Sequence, residues 1–188
     1  MSKSLIALLG LSSIVLAWCS LTGLSDDSDA PVVQTGNTIA VDYIGTLSDG
    51  TIFDTSIASV AKTTPKYLSG RNYEPLTFTV GAGQMIPGFD KAVVGMKLNE
   101  TKDITILPED AYGLPRPDYV ITTGVTIFSG LWKDPVIGEQ YYFGLPQPGK
   151  VTKLESGQVT IDFNHELAGQ TLKFNITIKK IGTGTVTQ

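Results

Sequence analysis

The chain has 188 residues, 41% of them hydrophobic and 17% charged, and a formal net charge of −4. This length suits one domain with a substantial core, or one domain that carries a large insert. A nucleic-acid-binding protein normally has a basic face, which a mildly acidic chain does not favour, so we expect no nucleic-acid partner. A single cysteine and a single histidine exclude an intrachain disulfide and a zinc site built from clustered Cys and His side chains, so we expect no metal.

The N-terminal segment is typical of an export signal followed by a tether. An apolar run at residues 5–18 follows the lone basic residue Lys3, Cys19 closes the run, and a polar, acidic stretch comes next. Such a layout directs a protein out of the cytoplasm. We therefore predict a signal peptide or membrane anchor at residues 1–19 and a polar linker at residues 20–35.

Three versions of this export segment remain open. Residues 16–19 resemble a lipoprotein box, in which Cys19 is lipidated and becomes the mature N-terminus, although Trp18 replaces the small residue usual before that cysteine. Residues 5–24 are uncharged and, at ~1.5 Å per residue, just long enough for an uncleaved anchor. A cleaved secretion signal is the third version, and it leaves Cys19 without a role. All three predict an exported domain, and the first two hold it on the outer side of the cytoplasmic membrane.

Beyond residue 36 the sequence alternates as in half-buried β-strands. Apolar side chains take every second position within residues 39–44, 76–80, 103–106 and 172–179, which gives each strand one dry and one wet face. Residues 48–51 have the composition of a hairpin turn. The pattern predicts an antiparallel sheet with one covered side.

One clear helix interrupts the strands. Pro87 suits the first turn of a helix and Gly95 suits its end, while Phe89, Val93 and Met96 recur at helical spacing. One short helix against a curled antiparallel sheet is an α+β arrangement.

Residues 114–163 read as a small β-rich domain inserted into the first. The sequence predicts further strands at residues 125–128, 139–143, 150–155 and 158–163. Ser156 and Gly157 supply a turn, and many residues of the stretch are apolar, Leu131 and Trp132 among them. About fifty residues with their own strands are too many for a plain loop.

Six short motifs occur in a fixed order along the chain. They are VDYIG (41–45), DGTIFDTS (49–56), LTF (76–78), VGAGQMIPGFD (80–90), AYG (111–113) and LKF (172–174). Together they closely resemble the FKBP family of peptidyl-prolyl cis-trans isomerases, over residues 36–113 and 164–181. The insert and the re-entry NHELAGQ (164–170) resemble SlyD-like and archaeal members, which carry a flap domain there. The resemblance implies an FKBP-like curled antiparallel sheet with one short helix, and a flap at residues 114–163.

The resemblance also implies an enzyme that accelerates rotation about X-Pro bonds in unfolded or partly folded polypeptides that contain proline. The barrier to that rotation is ~18–20 kcal/mol, because the planar amide has partial double-bond character. The twisted amide has less charge separation, so a dry, apolar pocket favours it relative to water. Rotation requires no nucleophile or cofactor, and we expect no cofactor here. Macrolides that inhibit the family are candidate ligands.

The same resemblance assigns the site. It gives catalytic roles to Tyr43, Asp54, Tyr112 and Phe174, and substrate contacts to Phe53, Leu76, Phe78, Met85, Ile86, Phe89 and Leu167. Phe89 would form the floor beneath the proline ring, where most human-type relatives have tryptophan. The Ile86 N–H and the Tyr112 hydroxyl would donate to substrate carbonyls. Asp54 with Tyr43 would either polarise the twisting amide or only hold the pocket in shape.

Alternatives accompany this prediction. On the strand pattern alone, Phe53, Phe78 and Phe174 would be core residues of any β-rich domain. A catalytically weak surface module that binds peptides is the rival function, because Phe89 and Leu76 depart from the residues of many relatives.

In the SlyD-like relatives the flap binds unfolded chains and hands them to the isomerase pocket. We therefore expect the apolar insert to hold unfolded exported proteins in the manner of a chaperone. Asn99 and Asn175 each begin a glycosylation sequon, which an exported location would make accessible to modification.

Overall fold

The computed structural model describes residues 30–129 and 134–182. The predicted export segment with Cys19 lies outside these ranges, and so do Leu131 and Trp132 of the insert. No helix within the two ranges is long and apolar enough to cross a membrane.

An antiparallel sheet of five strands is built from the first and last parts of the chain. Its strands are β1 (Thr38–Thr46), β2 (Ile52–Thr55), β3 (Leu76–Thr79), β4 (Thr101–Ile106) and β9 (Leu172–Gly182). The order is β2-β1-β9-β4, and β3 also pairs with β1. Every second residue of β1 is buried, from Ile39 to Gly45, because successive side chains point to opposite faces of a strand. Since β9 pairs with both β1 and β4, the sheet is completed only by residues that follow the insert.

Helix α2 (Pro87–Val93) lies against this sheet. Proline opens the helix, where its missing N–H costs nothing, and Gly95 follows its end with a φ of +82°. Gly88 allows close packing, because a Cβ there would lie 2.4 Å from Cγ2 of Ile106 on β4. The predicted helix is confirmed. A second, single-turn helix, α1 (Ala58–Ala61), was not predicted.

The insert forms a second antiparallel sheet with a core of its own. Its strands are β5 (Val120–Gly124), β6 (Gln140–Tyr141), β7 (Gly149–Glu155) and β8 (Gln158–Asp162), in the order β5-β8-β7-β6. Its buried cluster consists of Phe128, Tyr141, Val151, Val159 and Ile161. The predicted α+β class, with an added β-rich unit, is confirmed.

Inside the insert two of the predicted strands are wrong. Val125–Phe128 is a 3₁₀ turn rather than a strand, because this tight turn brings the Phe128 ring into the small core, 4.8 Å from the ring of Tyr141. The strand predicted at residues 139–143 shrinks to two residues, and Tyr142 beyond it is exposed. The strand Val120–Gly124 was not predicted, since its apolar residues remain largely outside the core.

The predicted linker at residues 20–35 overlaps the folded domain. Val33 is 1% exposed, its N–H donates to the carbonyl of Met96, and its own carbonyl accepts the N–H of Gly95. Val32 forms a bridge with Lys97. The domain therefore includes residues before 36, although they precede the alternating pattern from which its start was predicted.

Candidate active site

A cavity of about 450 Å³ opens beside α2. It is lined by Tyr43, Phe53, Asp54, Leu76, Gln84, Met85, Ile86, Pro87, Phe89, Tyr112 and Phe174. Nine of the eleven predicted pocket residues are in this set. They come from β1, β2, β3, β9 and the segments around α2 and after β4, so the fold gathers residues that are far apart in the sequence.

Aromatic rings form the base of the cavity. The Phe89 ring lies edge-on to the rings of Phe174, Phe78 and Tyr43, with centroid distances of 5.2, 5.9 and 6.2 Å. Only 1% of Phe89 is exposed, because these rings surround it. Edge-to-face contacts of this kind hold aromatic rings in a fixed geometry. The base of the cavity is therefore apolar and preformed.

Phe78 and Leu167 are the two predicted pocket residues that do not line the cavity. Both are buried in the core of the domain, and Phe78 packs against Phe89 from behind. The structure therefore gives Phe78 the core position that its strand pattern alone predicts. Leu167 is also a core residue. The structure therefore places both side chains in the core and not on the wall of this cavity.

The pocket requires a glycine at position 45, and this requirement was not predicted from the sequence. Gly45 pairs with Asp54 across β2 and with Phe174 across β9. A Cβ at this position would lie 2.7 Å from Cζ of Phe53 and 3.0 Å from Cε1 of Phe174. Glycine therefore makes room for these two rings, which meet edge-to-face at 5.5 Å. A glycine inside a strand was the available signal, because it often marks such a close approach.

A charged triad borders the cavity on one side. The Tyr43 hydroxyl donates to Asp54 Oδ2 at 2.5 Å, and Arg71 Nη1 donates to Asp54 Oδ1 at 2.6 Å. Arg71 Nη2 also lies 3.4 Å from the Tyr43 hydroxyl. Burial, together with the hydrogen bond to Asp54 and the negative charge of Asp54, raises the pKa of Tyr43 far above its usual value. Tyr43 is therefore a protonated donor. Its neighbour Arg71 was not predicted from the sequence.

Hydrogen bonds between β1 and β2 fix the position of this triad. The Tyr43 N–H donates to Ser56 Oγ at 3.0 Å, and Thr55 Oγ1 donates to the Tyr43 carbonyl at 2.7 Å. Ser56 Oγ in turn donates to Asp42 Oδ1 at 2.9 Å. Thr55 and Ser56 are buried, so these bonds are shielded from water. These bonds fix the backbone of Tyr43, and with it the position of its side chain relative to Asp54.

The opposite border of the cavity is the turn that leads into α2. Gln84 Oε1 accepts the N–H of Thr79 at 2.7 Å, and the Asp90 carboxylate accepts the N–H of Gly81 at 2.9 Å. The Ile86 carbonyl accepts the N–H groups of Phe89 and Asp90. Within residues 30–129 and 134–182 the Ile86 N–H itself has no acceptor. A free donor therefore remains at the cavity wall, where the resemblance implies one.

Tyr112 stacks on His165, the single histidine of the chain. Their ring centroids are 3.7 Å apart and the rings are parallel to within 3°. His165 Nδ1 accepts the N–H of Leu167 at 3.1 Å, which locks the turn that follows the insert. Burial, with smaller effects of the Asp54 and Glu166 charges, raises the pKa of Tyr112. Tyr112 is 40% exposed, so it remains a protonated donor that a ligand can reach.

Chemically, the cavity offers an apolar base and hydrogen-bond groups at its rim. A proline ring suits the base, while the Tyr112 hydroxyl and the Ile86 N–H suit carbonyl oxygens on either side of a bound peptide. Among the residues that the structure describes, no group of three or more His, Cys, Asp or Glu side chains is arranged to hold a metal ion.

Comparisons with known proteins agree with this geometry. A family model described as FKBP-type peptidyl-prolyl cis-trans isomerase matches residues 30–179. A short-type peptidyl-prolyl cis-trans isomerase of Methanocaldococcus jannaschii is 39% identical over 150 residues, which are 80% of this chain and 94% of the relative. A probable FKBP-type 16 kDa peptidyl-prolyl cis-trans isomerase of Pseudomonas fluorescens is 40% identical over 108 residues, 55% of this chain and 71% of the relative.

A more distant relative is similar over most of the chain. An FKBP-type peptidyl-prolyl cis-trans isomerase SlyD of Vibrio cholerae is 28% identical over 153 residues, 79% of this chain and 69% of the relative. The family match includes all six motifs and runs through the insert. The predicted resemblance is confirmed, and the chain belongs to the family of FKBP-type peptidyl-prolyl cis-trans isomerases.

Proposed function

We propose that this isomerase turns X-Pro bonds in the cavity above Phe89, and that its insert holds unfolded clients nearby. The observation that carries the proposal is the meeting of an aromatic, apolar base with hydrogen-bond donors at its rim that have no acceptor among the described residues. A planar amide is stabilised by water more than a twisted one. Moving it into the apolar cavity therefore lowers the barrier from its usual ~18–20 kcal/mol.

The polar groups have separate tasks in this proposal. The Ile86 N–H and the Tyr112 hydroxyl hold carbonyls of the substrate on either side of the twisting bond, so that only that bond rotates. Both oxygens of Asp54 are already engaged by Tyr43 and Arg71. This engagement favours a structural task for Asp54, in which it holds the wall of the pocket.

Replacement of Asp54 by asparagine tests that task. Asp54→Asn keeps the size of the side chain but removes the charge that pairs with Arg71. If Asp54 holds the pocket in shape, we expect kcat/KM for a proline tetrapeptide to fall by less than about five-fold, or ~1 kcal/mol of barrier. A loss of about a hundred-fold or more in a folded variant would instead favour direct polarisation of the twisting amide.

Tyr112→Phe tests the donor role of the hydroxyl. The variant keeps the ring on His165 and removes only the hydrogen bond, so kcat/KM for the tetrapeptide should fall by about ten-fold. Tyr142→Phe is the matched control, because Tyr142 is highly exposed and lies outside the cavity. Equal activities of the two variants would contradict the donor role.

The surface of the insert supports a chaperone-like role. Its exposed apolar residues are Val120, Ile121, Ile127, Val136, Ile137, Tyr142 and Leu145. Among the residues that the structure describes, strand β5 pairs with β8 alone, so one edge of the sheet is open to an extended chain. Exposed apolar side chains, two of which lie on β5 itself, suit the binding of unfolded polypeptides.

An insert variant separates this role from the chemistry of the pocket. Ile121→Lys should slow the catalysed refolding of a proline-limited protein several-fold and leave tetrapeptide isomerisation unchanged. Leu98→Lys places the same charge on an exposed residue of the main domain and is the control. Equal refolding rates with both variants would overturn the chaperone-like role.

The exported, membrane-anchored location is part of the same proposal and rests on the first 19 residues of the sequence. Mass analysis of the mature N-terminus tests it directly. A lipidated Cys19 at the mature N-terminus is expected, and Cys19→Ser should then remove the lipid mass from the N-terminal peptide. An intact, soluble N-terminus would contradict export.

Binding of macrolide inhibitors is expected to be weak. Phe89 and Leu76 provide a smaller aromatic box than the resemblance implies for many relatives, so less apolar surface is buried by a large ligand. Competition between a macrolide and a proline tetrapeptide in the isomerase assay measures this affinity. Inhibition at nanomolar concentration would show that these two changes do not matter.

A further inference from the structure

A second cavity, of about 390 Å³, adjoins the isomerase pocket. The two cavities share Phe53 and Asp54 as a common wall. Phe89 lines only the first cavity, and the loop residues Thr64, Lys66, Leu68, Arg71 and Tyr73 line only the second. The family resemblance assigned no residue to this second space apart from the shared wall.

The loop between α1 and β3 builds the second cavity, and its own contacts brace it. The rings of Tyr67 and Tyr73 stack at 5.7 Å, and the Tyr73 hydroxyl accepts the N–H of Leu68 at 3.0 Å. The Arg71 guanidinium lies over the Tyr73 ring at 5.1 Å. Across the opening, Lys66 Nζ lies 3.6 Å from Glu166 Oε1, which joins the loop to the turn after the insert. The cavity is therefore a formed space, bounded by two separate segments.

The lining favours an uncharged, apolar occupant. Ile52, Phe53 and the buried Ala61 supply apolar surface on one side. Leu68 supplies it at the mouth, where it is 62% exposed. The charges at the rim are already paired, Asp54 with Arg71 and Lys66 with Glu166. Since each charged residue of the described lining is paired, the space offers little to a charged side chain and would bury an apolar one.

The position of the shared wall indicates which part of a substrate would reach this space. Under the proposed function, on which this inference rests, the X-Pro bond lies over Phe89 beside Asp54. A chain that runs from the X-Pro bond past Asp54 enters the second cavity, because Asp54 lines both spaces. An extended peptide advances ~3.3 Å per residue, so a side chain two or three residues from the proline is within reach of the adjoining space.

We propose that the second cavity is a substrate subsite that takes an apolar side chain two or three residues before the proline. The class of ligand is thus an extended polypeptide with leucine, valine or phenylalanine at that position. Leu68, Ala61 and Tyr73 are the residues that set this preference, while the pocket of Phe89 selects the proline.

Two peptide series test the subsite. Each series places either leucine or glutamine at the second or at the third position before the proline, and kcat/KM is measured by exchange NMR for every peptide. For the wild-type protein we expect the leucine peptide to be favoured about five-fold at one of the two positions. Leu68→Glu should bring that ratio close to one, because it places a charge at the mouth of the cavity.

Control variants keep the result interpretable. Leu98→Glu changes an exposed leucine outside both cavities and should retain the five-fold preference. Ala61→Met fills the cavity from inside and should also remove the preference if the variant folds; Leu68→Glu, at an exposed position, does not depend on that condition. In the Leu98→Glu control the activity on both peptides should remain within about two-fold of wild type.

The outcomes separate this inference from the proposed function. A wild-type protein that accelerates proline peptides without any leucine preference, or a Leu68→Glu protein that keeps the preference, would overturn the subsite alone. A wild-type protein that accelerates none of the peptides would overturn the proposed pocket as well. A preference found only for residues after the proline would refute the assignment of this cavity to the preceding chain.

Discussion

At the scale of single residues, the site depends on side chains that no local pattern identifies. Arg71 completes a triad with Tyr43 and Asp54, yet it lies 17 residues after Asp54 in a loop. His165 lies 53 positions after Tyr112 in the sequence, and the fold brings the two rings into contact. The order of the motifs predicted most residues of the pocket wall. Arg71 and His165 could be identified as their partners only from the tertiary structure.

Gly45→Ala adds only one methyl group but should disrupt the packing of the pocket. The added methyl group would meet the rings of Phe53 and Phe174 at 2.7–3.0 Å, and forced overpacking of this kind costs about 1–3 kcal/mol. We expect that loss in the free energy of unfolding and about a ten-fold fall in kcat/KM. Gly70→Ala is the control, because nothing lies within 4 Å of its added Cβ. Equal effects of the two changes would contradict the packing described for Gly45.

His165 should make stability dependent on pH near neutrality. Burial lowers its pKa, and the nearby Glu166 charge opposes this only in part. Lys150 and Asp162 line the groove on its other side. Because the unfolded chain then binds the proton at higher pH than the folded protein does, stability is complete above about pH 6.5. It should fall as the pH drops from there through the folded-state pKa.

Thermal unfolding of wild type and His165→Phe between pH 5 and 8 measures this effect. The phenyl ring keeps an aromatic contact with Tyr112 but does not titrate, so the decline of Tm below about pH 6.5 should be smaller in the variant. The chain has one histidine, so no other imidazole contributes. The same pH slope in both proteins would show that His165 is not the titrating group.

At the scale of elements, the sequence predicts best where a periodic pattern and a buried face coincide. Regular apolar spacing is found in β1, β9 and α2, which pack on one large core. Their patterns therefore predict the correct type of element. The insert has a core of five buried residues, and its short strands carry many exposed apolar side chains. Its pattern therefore reports burial poorly, and Val125–Phe128 was assigned to the wrong type of element.

Val33 extends the main domain at its N-terminal side. Val33→Ala should lower the free energy of unfolding by about 2 kcal/mol, because it leaves a cavity at a fully buried position. Val94→Ala removes the same atoms from an exposed residue and should have little effect. Chemical denaturation of both variants measures the difference. Equal stabilities would mean that residues before 36 behave as a linker.

At the scale of the whole molecule, the insert divides the isomerase domain without dividing its site. Tyr112 precedes the insert and Phe174 follows it, yet both line one cavity. The Lys66–Glu166 pair and the Tyr112–His165 stack join the turn after the insert to both cavities. A substrate held on the insert would therefore be presented close to the pocket, which raises its effective concentration there.

The central claim is that X-Pro bonds rotate in the cavity lined by the residues around Phe89. Exchange NMR of a proline tetrapeptide with wild type, Met85→Glu and Leu107→Glu tests it most directly. Met85 lines the cavity and Leu107 is exposed outside it, so the same charge is introduced within and away from the site. We predict acceleration by wild type and Leu107→Glu, and at least a ten-fold loss in a folded Met85→Glu protein. Undiminished acceleration by Met85→Glu would contradict the claim.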